Sequence, residues 1–317
     1  MTAQGAPDRS RTVQLDGREM ELSRLDKVLF PDPAITKGDV VDYYRRISDA
    51  MLPHLIDRPL VLQRFPDGID QDGFFQKNTP EHAPEWIQRI AIDTADGGST
   101  SYSVIDGVSG LVHLADQGTV TFHTLLAEAD APRRPVEIIF DLDPADDELD
   151  PVRDAASELR QVLDDLALAP RVKSSGSRGL HVLIEVTDDE IDFDATATFA
   201  RRVAEIIVGR GPFTLQQRTA KRGDRLFVDV LRNAVANHAV APYSLRPLPG
   251  APVAAPLHWD EALDASFHPR RITIDNIFRR LGQIDDPWQR PDRPATTIAE
   301  ALAELGEPEE TAQRSPR

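Results

Sequence analysis

Between Val136 and Leu231 the hydrophobic period switches repeatedly between two and 3.6, and few folds accept the resulting order of elements. Val136 to Leu142 is an apolar run of strand length. Asp150-Pro151 then offers a cap and a first-turn proline to a helix whose Val152, Ala155, Leu159, Val162, Leu163 and Leu166 form one stripe, closed by Pro170. Arg171 to Ser174 and Leu180 to Val186 read as strands joined by the loop Ser175 to Gly179. Phe199, Val203, Ile206 and Ile207 mark a second helix, and Arg225 to Leu231 a last strand.

The order β-α-β-β-α-β predicts an α+β fold with a ferredoxin-like, RNA-recognition-motif-like module and sheet order 4-1-3-2. Ahead of it, Thr12 to Leu15 and Arg18 to Leu22 flank Asp16-Gly17 as a hairpin, and Thr36 with Asp39 caps a helix carrying Val40, Tyr44, Ile47 and Met51. Pro59 to Phe65, Trp86 to Ile92, Ser101 to Ile105 and Thr119 to His123 are strand-like. After it come a Pro/Ala-rich connector from Pro247 to Pro256, helices within Ile272 to Leu281 and Thr297 to Leu305, and a tail from Glu307 to Arg317 that reads as disordered. The expected division is therefore a mixed α/β lobe over residues 1–134, the module over 135–290, and a helix with its tail over 291–317.

Absence of cysteine excludes disulfides, cysteine-ligated zinc, iron-sulfur clusters and thiol nucleophiles, so any metal must sit on oxygen or histidine. No apolar run is long enough to cross a bilayer, and the polar start from Met1 to Arg11 is unlike a signal peptide, so a cytoplasmic protein is expected. The net charge of -17 argues at face value against a nucleic-acid partner. However, much of the acid is concentrated at 146–150, 188–194 and 307–310, while basic residues gather at 171–178 and 218–225, which keeps a local basic surface available.

Strand alternation puts Asp141 and Asp143 on one face, and like charges so close call for neutralisation; a divalent cation is the usual remedy, although turn chemistry gives the same pattern. Asp229 interrupts an apolar strand and needs a partner, either a metal or an arginine such as Arg225 or Arg232. His181 lies opposite the face of Leu180, Val182, Ile184 and Val186, where a satisfied sheet histidine is the plain alternative. The 4-1-3-2 order brings all four together, which favours a metal site for phosphoryl or nucleotidyl transfer. Ser175 and Gly176 in the loop beside Lys173 and Arg178 suit a phosphate-cradling turn, and the basic loop Gln216 to Arg225 leads straight into the last strand. Phe74-Phe75 either packs inward or offers a stacking pair.

Asp141-Leu142-Asp143-Pro144, Ser175-Gly176-Ser177-Arg178-Gly179-Leu180-His181 and Phe227-Val228-Asp229 resemble the three motifs of the archaeo-eukaryotic primase superfamily, and most closely those of ligase D polymerase domains. The resemblance extends over nearly the whole chain, through Leu25-Asp26-Lys27-Val28-Leu29-Phe30-Pro31, Thr36-Lys37-Gly38-Asp39, Arg64-Phe65-Pro66-Asp67-Gly68, Phe74-Phe75-Gln76-Lys77-Asn78, Gln117 to His123 and Ala241-Pro242-Tyr243-Ser244-Leu245-Arg246. It implies a primase-polymerase extending DNA ends or filling short gaps, as in non-homologous end joining. Asp141, Asp143 and Asp229 would bind two catalytic ions, manganese or magnesium. Lys173, Ser175, Gly176, His181, Arg232 and Arg246 would bind the incoming NTP or dNTP. Lys27 and Lys37 would hold a downstream 5′-phosphate, with Arg64, Phe74, Phe75, His123 and Arg222 also at the DNA.

Two departures stand out. Arg24 replaces the asparagine common before Leu-Asp-Lys, and no ligase or nuclease domain is expected, so sealing would need a separate DNA ligase, with a Ku-type end-binding protein as a further expected partner. A two-metal nuclease or phosphohydrolase, or a catalytically silent nucleic-acid-binding module of the same fold, remains the alternative on the residues alone.

Overall fold

The computed structural model describes residues 10–93, 97–144, 148–288 and 295–306. The first half comprises the hairpin β1 (Arg11–Leu15) and β2 (Arg18–Leu22), the short pair β3 (Val28–Phe30) and β4 (Ile35–Thr36), and α1 (Lys37–Met51). It continues with β5 (Leu60–Arg64), β6 (Phe74–Gln76), β7 (Gln88–Asp93), β8 (Ser99–Val104), α2 (Val108–Asp116) and β9 (Thr119–Leu125). The second half comprises β10 (Glu137–Asp143), α3 (Asp150–Asp165), β11 (Arg171–Ser174), β12 (Leu180–Glu185), α4 (Phe193–Val208), β13 (Phe213–Thr214) and β14 (Leu226–Asp229). It ends with β15 (His238–Val240), β16 (Pro256–Leu257), α5 (Trp259–Leu263), α6 (Ile277–Leu281) and α7 (Ile298–Glu304).

Two larger sheets organise the molecule. One runs β15-β9-β5-β8-β7 with β6 on β5, and the other runs β13-β14-β10-β12-β11-β16. In the second, β14, β10, β12 and β11 are antiparallel neighbours, with α3 following β10 and α4 following β12. The apolar stripes of these helices are buried: Val152, Ala155, Leu159 and Val162 on α3, and Phe199, Val203 and Ile207 on α4. The chain then crosses between the sheets. After β14, β15 pairs with β9 of the first sheet, and β16 returns to the edge of the second. One apolar core accordingly contains Tyr44 and Phe122 from the first half and Phe140, Tyr243 and Leu245 from the second.

Several sequence expectations shift. Leu149, not Asp150, is the N-cap of α3, and no side chain caps it; Asp150 instead sits in the first turn, where its charge favours the positive end of the helix. Pro170 does not end the helix, which stops at Asp165. The helix expected within Ile272 to Leu281 is confined to α6, because Asn276 accepts from the Thr273 N–H and makes a turn there. Phe74 to Gln76 forms a strand rather than a loop, and α2 was not anticipated. The tail from Glu307 to Arg317 lies outside the described residues. Among those described, no helix is long and apolar enough to cross a membrane.

Candidate active site

Four side chains on adjacent strands fall into one register row. Lys173 on β11 is opposite His181 on β12, His181 is opposite Asp141 on β10, and Asp141 is opposite Asp229 on β14. Asp143 follows two positions along β10, on the same face. Asp141, Asp143, His181 and Asp229 form one wall of a cavity of about 330 Å3, and Lys173 does not line it. Ser175, Ser177, Arg178, Arg232 and Arg246 extend that wall, while Gln63, Phe75, His123, His238 and Val240 come from the other sheet and face it.

The acids are not equivalent. Burial alone would push the Asp141 carboxyl up, but His181 and Arg232 hold it well below the usual carboxylate range. Arg232 donates through Nε at 2.9 Å, and His181 Nε2 lies 3.3 Å from the other oxygen. Burial and the charge of Lys173 push His181 down to about 4, so it is neutral near pH 7 and Arg232 carries the compensating charge. Burial raises both Asp143 and Asp229, and the negative charge of Asp141 raises them further. Arg178 meets Asp143 at 2.9 Å, with Arg222 at 4.0 Å. Among the described residues no group of three or more acids and histidines is drawn together as a ready cation site.

The loop from Ser175 to Gly179 folds on itself. Ser175 Oγ accepts from the N–H groups of Ser177 and Gly179. Gly176, at φ +64, packs against Arg246; a Cβ there would come within 2.7 Å of the Arg246 side chain and 2.9 Å of backbone. Arg246 is consequently held in the cavity wall with its buried Nε unpartnered. Gly176 thus supports the site without lining it.

Other expected residues are placed more variously. Lys173 is 1% exposed, lies opposite His181 on the neighbouring strand without lining the cavity, and has an unpartnered Nζ. Phe75 packs at a tilt against His123 and His238, at centroid distances of 5.5 and 5.8 Å, whereas Phe74 points toward the Arg64 guanidinium. Arg64 directs its donors inward, to Gln76 and the Gln117 carbonyl. Arg222 lies on the Phe227 ring and bonds the Gln216 and Gln217 carbonyls. Lys27 pairs with Asp67 at 2.5 Å near the surface, but Lys37 is buried against Asp116 at 2.7 Å. His238 and Asp116 were missed in the sequence. Asp116 had a legible signal, an acid closing an otherwise apolar helical segment; His238 had none, since it is the crossing of β15 to the first sheet that brings it to the site.

Residues 36–288 match the family model described as LigD, primase-polymerase domain. A multifunctional non-homologous end joining protein LigD of Mycolicibacterium smegmatis is 34% identical over 272 residues, covering 84% of this chain and 35% of the relative. A bifunctional non-homologous end joining protein LigD of Bacillus subtilis is 32% identical over 293 residues, covering 90% and 47%. The chain thus spans between about a third and a half of the length of these relatives. Among solved structures, the polymerase domain of Mycobacterium tuberculosis ligase D in complex with DNA superposes with a TM-score of 0.77 at 30% identity. That match covers 84% of this chain and 95% of the other.

Proposed function

The chain belongs to the LigD primase-polymerase domain family, and from that premise we propose that it is a template-dependent primase-polymerase adding ribo- or deoxynucleotides at DNA ends or short gaps during end-joining repair. The observation that carries this reading is the cavity itself. Three carboxylates in neighbouring register positions share it with Arg246, whose buried Nε lacks a partner. A triphosphate supplies what Arg246 lacks, and a cation supplies what the acids lack.

The donor set fits a hard divalent ion. It is all oxygen, and the Asp143 and Asp229 carboxyls are raised by burial first and by the Asp141 charge after it, both of which an added positive charge offsets. Asp141, Asp143 and Asp229 would hold two ions, manganese or magnesium, after Arg178 and Arg232 release the carboxylates to them. Bound there, the ions supply charge that offsets the triphosphate and lowers the pKa of the primer 3′-hydroxyl. In the transfer, the 3′-oxygen bonds to the α-phosphorus, the bond from that phosphorus to the bridging oxygen breaks, pyrophosphate leaves, and the hydroxyl proton passes to solvent. Arg246, Ser175 and the freed Arg178 bind the triphosphate, Arg232 released from Asp141 adds to that charge, and His181 keeps Asp141 oriented as a neutral donor. Lys173, next to His181, contributes positive charge when protonated.

The first half, residues 1–134, would grip DNA, with the ferredoxin-like module over 135–290 performing the transfer and 291–317 appended to it. Lys27 and Lys37 would meet a downstream 5′-phosphate in exchange for Asp67 and Asp116. Phe74, Phe75, Arg64, His123 and Arg222 would contact template and incoming nucleotide. A Ku-type end-binding protein and a DNA ligase activity are what this role calls for.

The test is primer extension on a gapped, 5′-phosphorylated duplex with manganese, comparing ribo- and deoxynucleotides. We expect extension by the wild type, and a loss of at least about a hundredfold in Asp141→Asn plus Asp143→Asn from removal of the charge that holds the ions. DNA binding without extension by the wild type would favour the silent module, and nucleotide-independent degradation a nuclease.

A further inference from the structure

A second, more open concavity of about 220 Å3 adjoins the first, lined by Asp229, Leu231, Arg232, Asn237 and His238. The two share Asp229, Arg232 and His238. We propose that this concavity seats the 3′-terminal nucleotide of the primer strand, with the Leu231 side chain as the platform under its sugar and base. The assignment rests on the polymerase reading above and deepens it.

Leu231 is 51% exposed, and among the large hydrophobic side chains of the described residues only Phe75, at 53%, is more so. Its position is fixed. The Leu231 N–H donates to Asp229 Oδ1 at 2.9 Å, and its carbonyl accepts from Asn237 Nδ2 at 2.8 Å. The loop is in turn pinned to the sheet, because buried Asn233 accepts from the Ile139 N–H and donates to the Ile139 carbonyl, both at 2.9 Å. An apolar side chain carried on a backbone held at both its N–H and its carbonyl is already placed, and covering it costs less ordering entropy than covering one on a free loop.

The sheet order identifies the occupant. In-line transfer places attacking and leaving oxygens on opposite sides of the phosphorus. The phosphate-cradling loop from Ser175 to Gly179 joins β11 to β12, on one side of the acids of β10. The strand on the other side is β14, and Leu231 lies two residues beyond its terminal Asp229. With the pyrophosphate leaving toward β12, the attacking 3′-oxygen must arrive from β14, across Asp229. A nucleotide approaching that way meets the apolar Leu231 and the imidazole of His238, which packs at a tilt against Phe75. Sugar and base faces suit such a surface; a second triphosphate, with its dense charge, does not.

The experiment is steady-state extension by the full chain with Leu231→Ala and Leu231→Met, measuring KM for primed duplex and KM for nucleotide separately. Affinity for an unprimed template strand is read by fluorescence anisotropy, and thermal melting checks the fold. Losing a partly covered leucine should raise the KM for primed duplex about five- to tenfold in Leu231→Ala. The nucleotide KM, the template affinity and the melting curve should be unchanged, and Leu231→Met should restore the primed-duplex KM. Equal rises in both KM values, an equal loss on template alone, or no change in Leu231→Ala would overturn the seat while leaving the polymerase reading intact. No extension by the wild type would overturn the polymerase reading itself.

Discussion

Lys173 is a residue whose sequence context and structural setting point in different directions. Beside the Ser-Gly loop it reads as a phosphate ligand, yet it is buried next to His181, where burial and the nearby Arg246 charge push its ammonium down to about 7. The ordinary value is 10.5, so between pH 7 and 10.5 the unfolded chain binds a proton that the folded chain has released. Stability therefore rises with pH through that window, and the penalty is fully present below it. We expect the urea midpoint of the wild type to climb from pH 7 to pH 9, and that of Lys173→Met to be flatter and higher at pH 7. Matching slopes in the two proteins would show that Lys173 is not the group responsible. The acids and His181 were legible because strand alternation assigns a face and the four-strand order assigns neighbours. Leu231 was not, since its exposure depends on Asn233 reaching Ile139, a contact across 94 positions of chain.

At the scale of elements, long periodic segments were readable and short ones were not. The helices α1, α3 and α4 carry apolar stripes several turns long, whereas β6 has three residues and exists only because Gln63 on β5 pairs with Phe75. That pairing is what aims Phe75 at His123 and His238 and leaves Phe74 on the opposite side. The approach of the Ser175 to Gly179 loop to β10 was equally hidden. A Cβ at Gly179 would stand 1.8 Å from the Leu142 carbonyl oxygen, a backbone atom of the strand that carries Asp141 and Asp143. Relief requires β10 and β12 to part where Leu142 pairs with Leu180. Gly179→Ala should cost about 3 kcal/mol or more, the upper range for overpacking, and equilibrium urea unfolding measures it. A loss below about 1 kcal/mol would mean that the loop relaxes without disturbing the acids.

The sequence divides into two halves more cleanly than the molecule does. Segment 239–246 follows β10 to β14 in sequence but is stitched to the first half: Tyr43 donates to the Tyr243 carbonyl at 2.6 Å, the Leu245 N–H donates to Tyr44 at 3.0 Å, and Thr121 donates to the Leu245 carbonyl at 2.8 Å. These bonds lie in the core shared by both sheets, where leaving any one donor or acceptor unmet costs about 1–3 kcal/mol. His54 from the first half sits at the same seam, with ring centroids 6.2 Å from Tyr243 and 5.6 Å from Trp288. Burial, with Arg171 and Arg58 nearby, pushes it down to about 4, against the opposing pull of Asp286 and Glu137. Its folded pKa lies below the unfolded 6.5, so as pH falls from 6.5 to 4 the unfolded chain gains a proton the folded chain refuses, and stability drops through that window. Acid should therefore loosen both halves together. Far-ultraviolet circular dichroism and tryptophan fluorescence, which draws on Trp86 in the first half and Trp259 and Trp288 in the second, should give one coincident transition below pH 6.5, shallower in His54→Gln. Separate midpoints for the two signals would mean that the shared core does not couple the lobe expected to hold DNA to the module expected to carry out transfer.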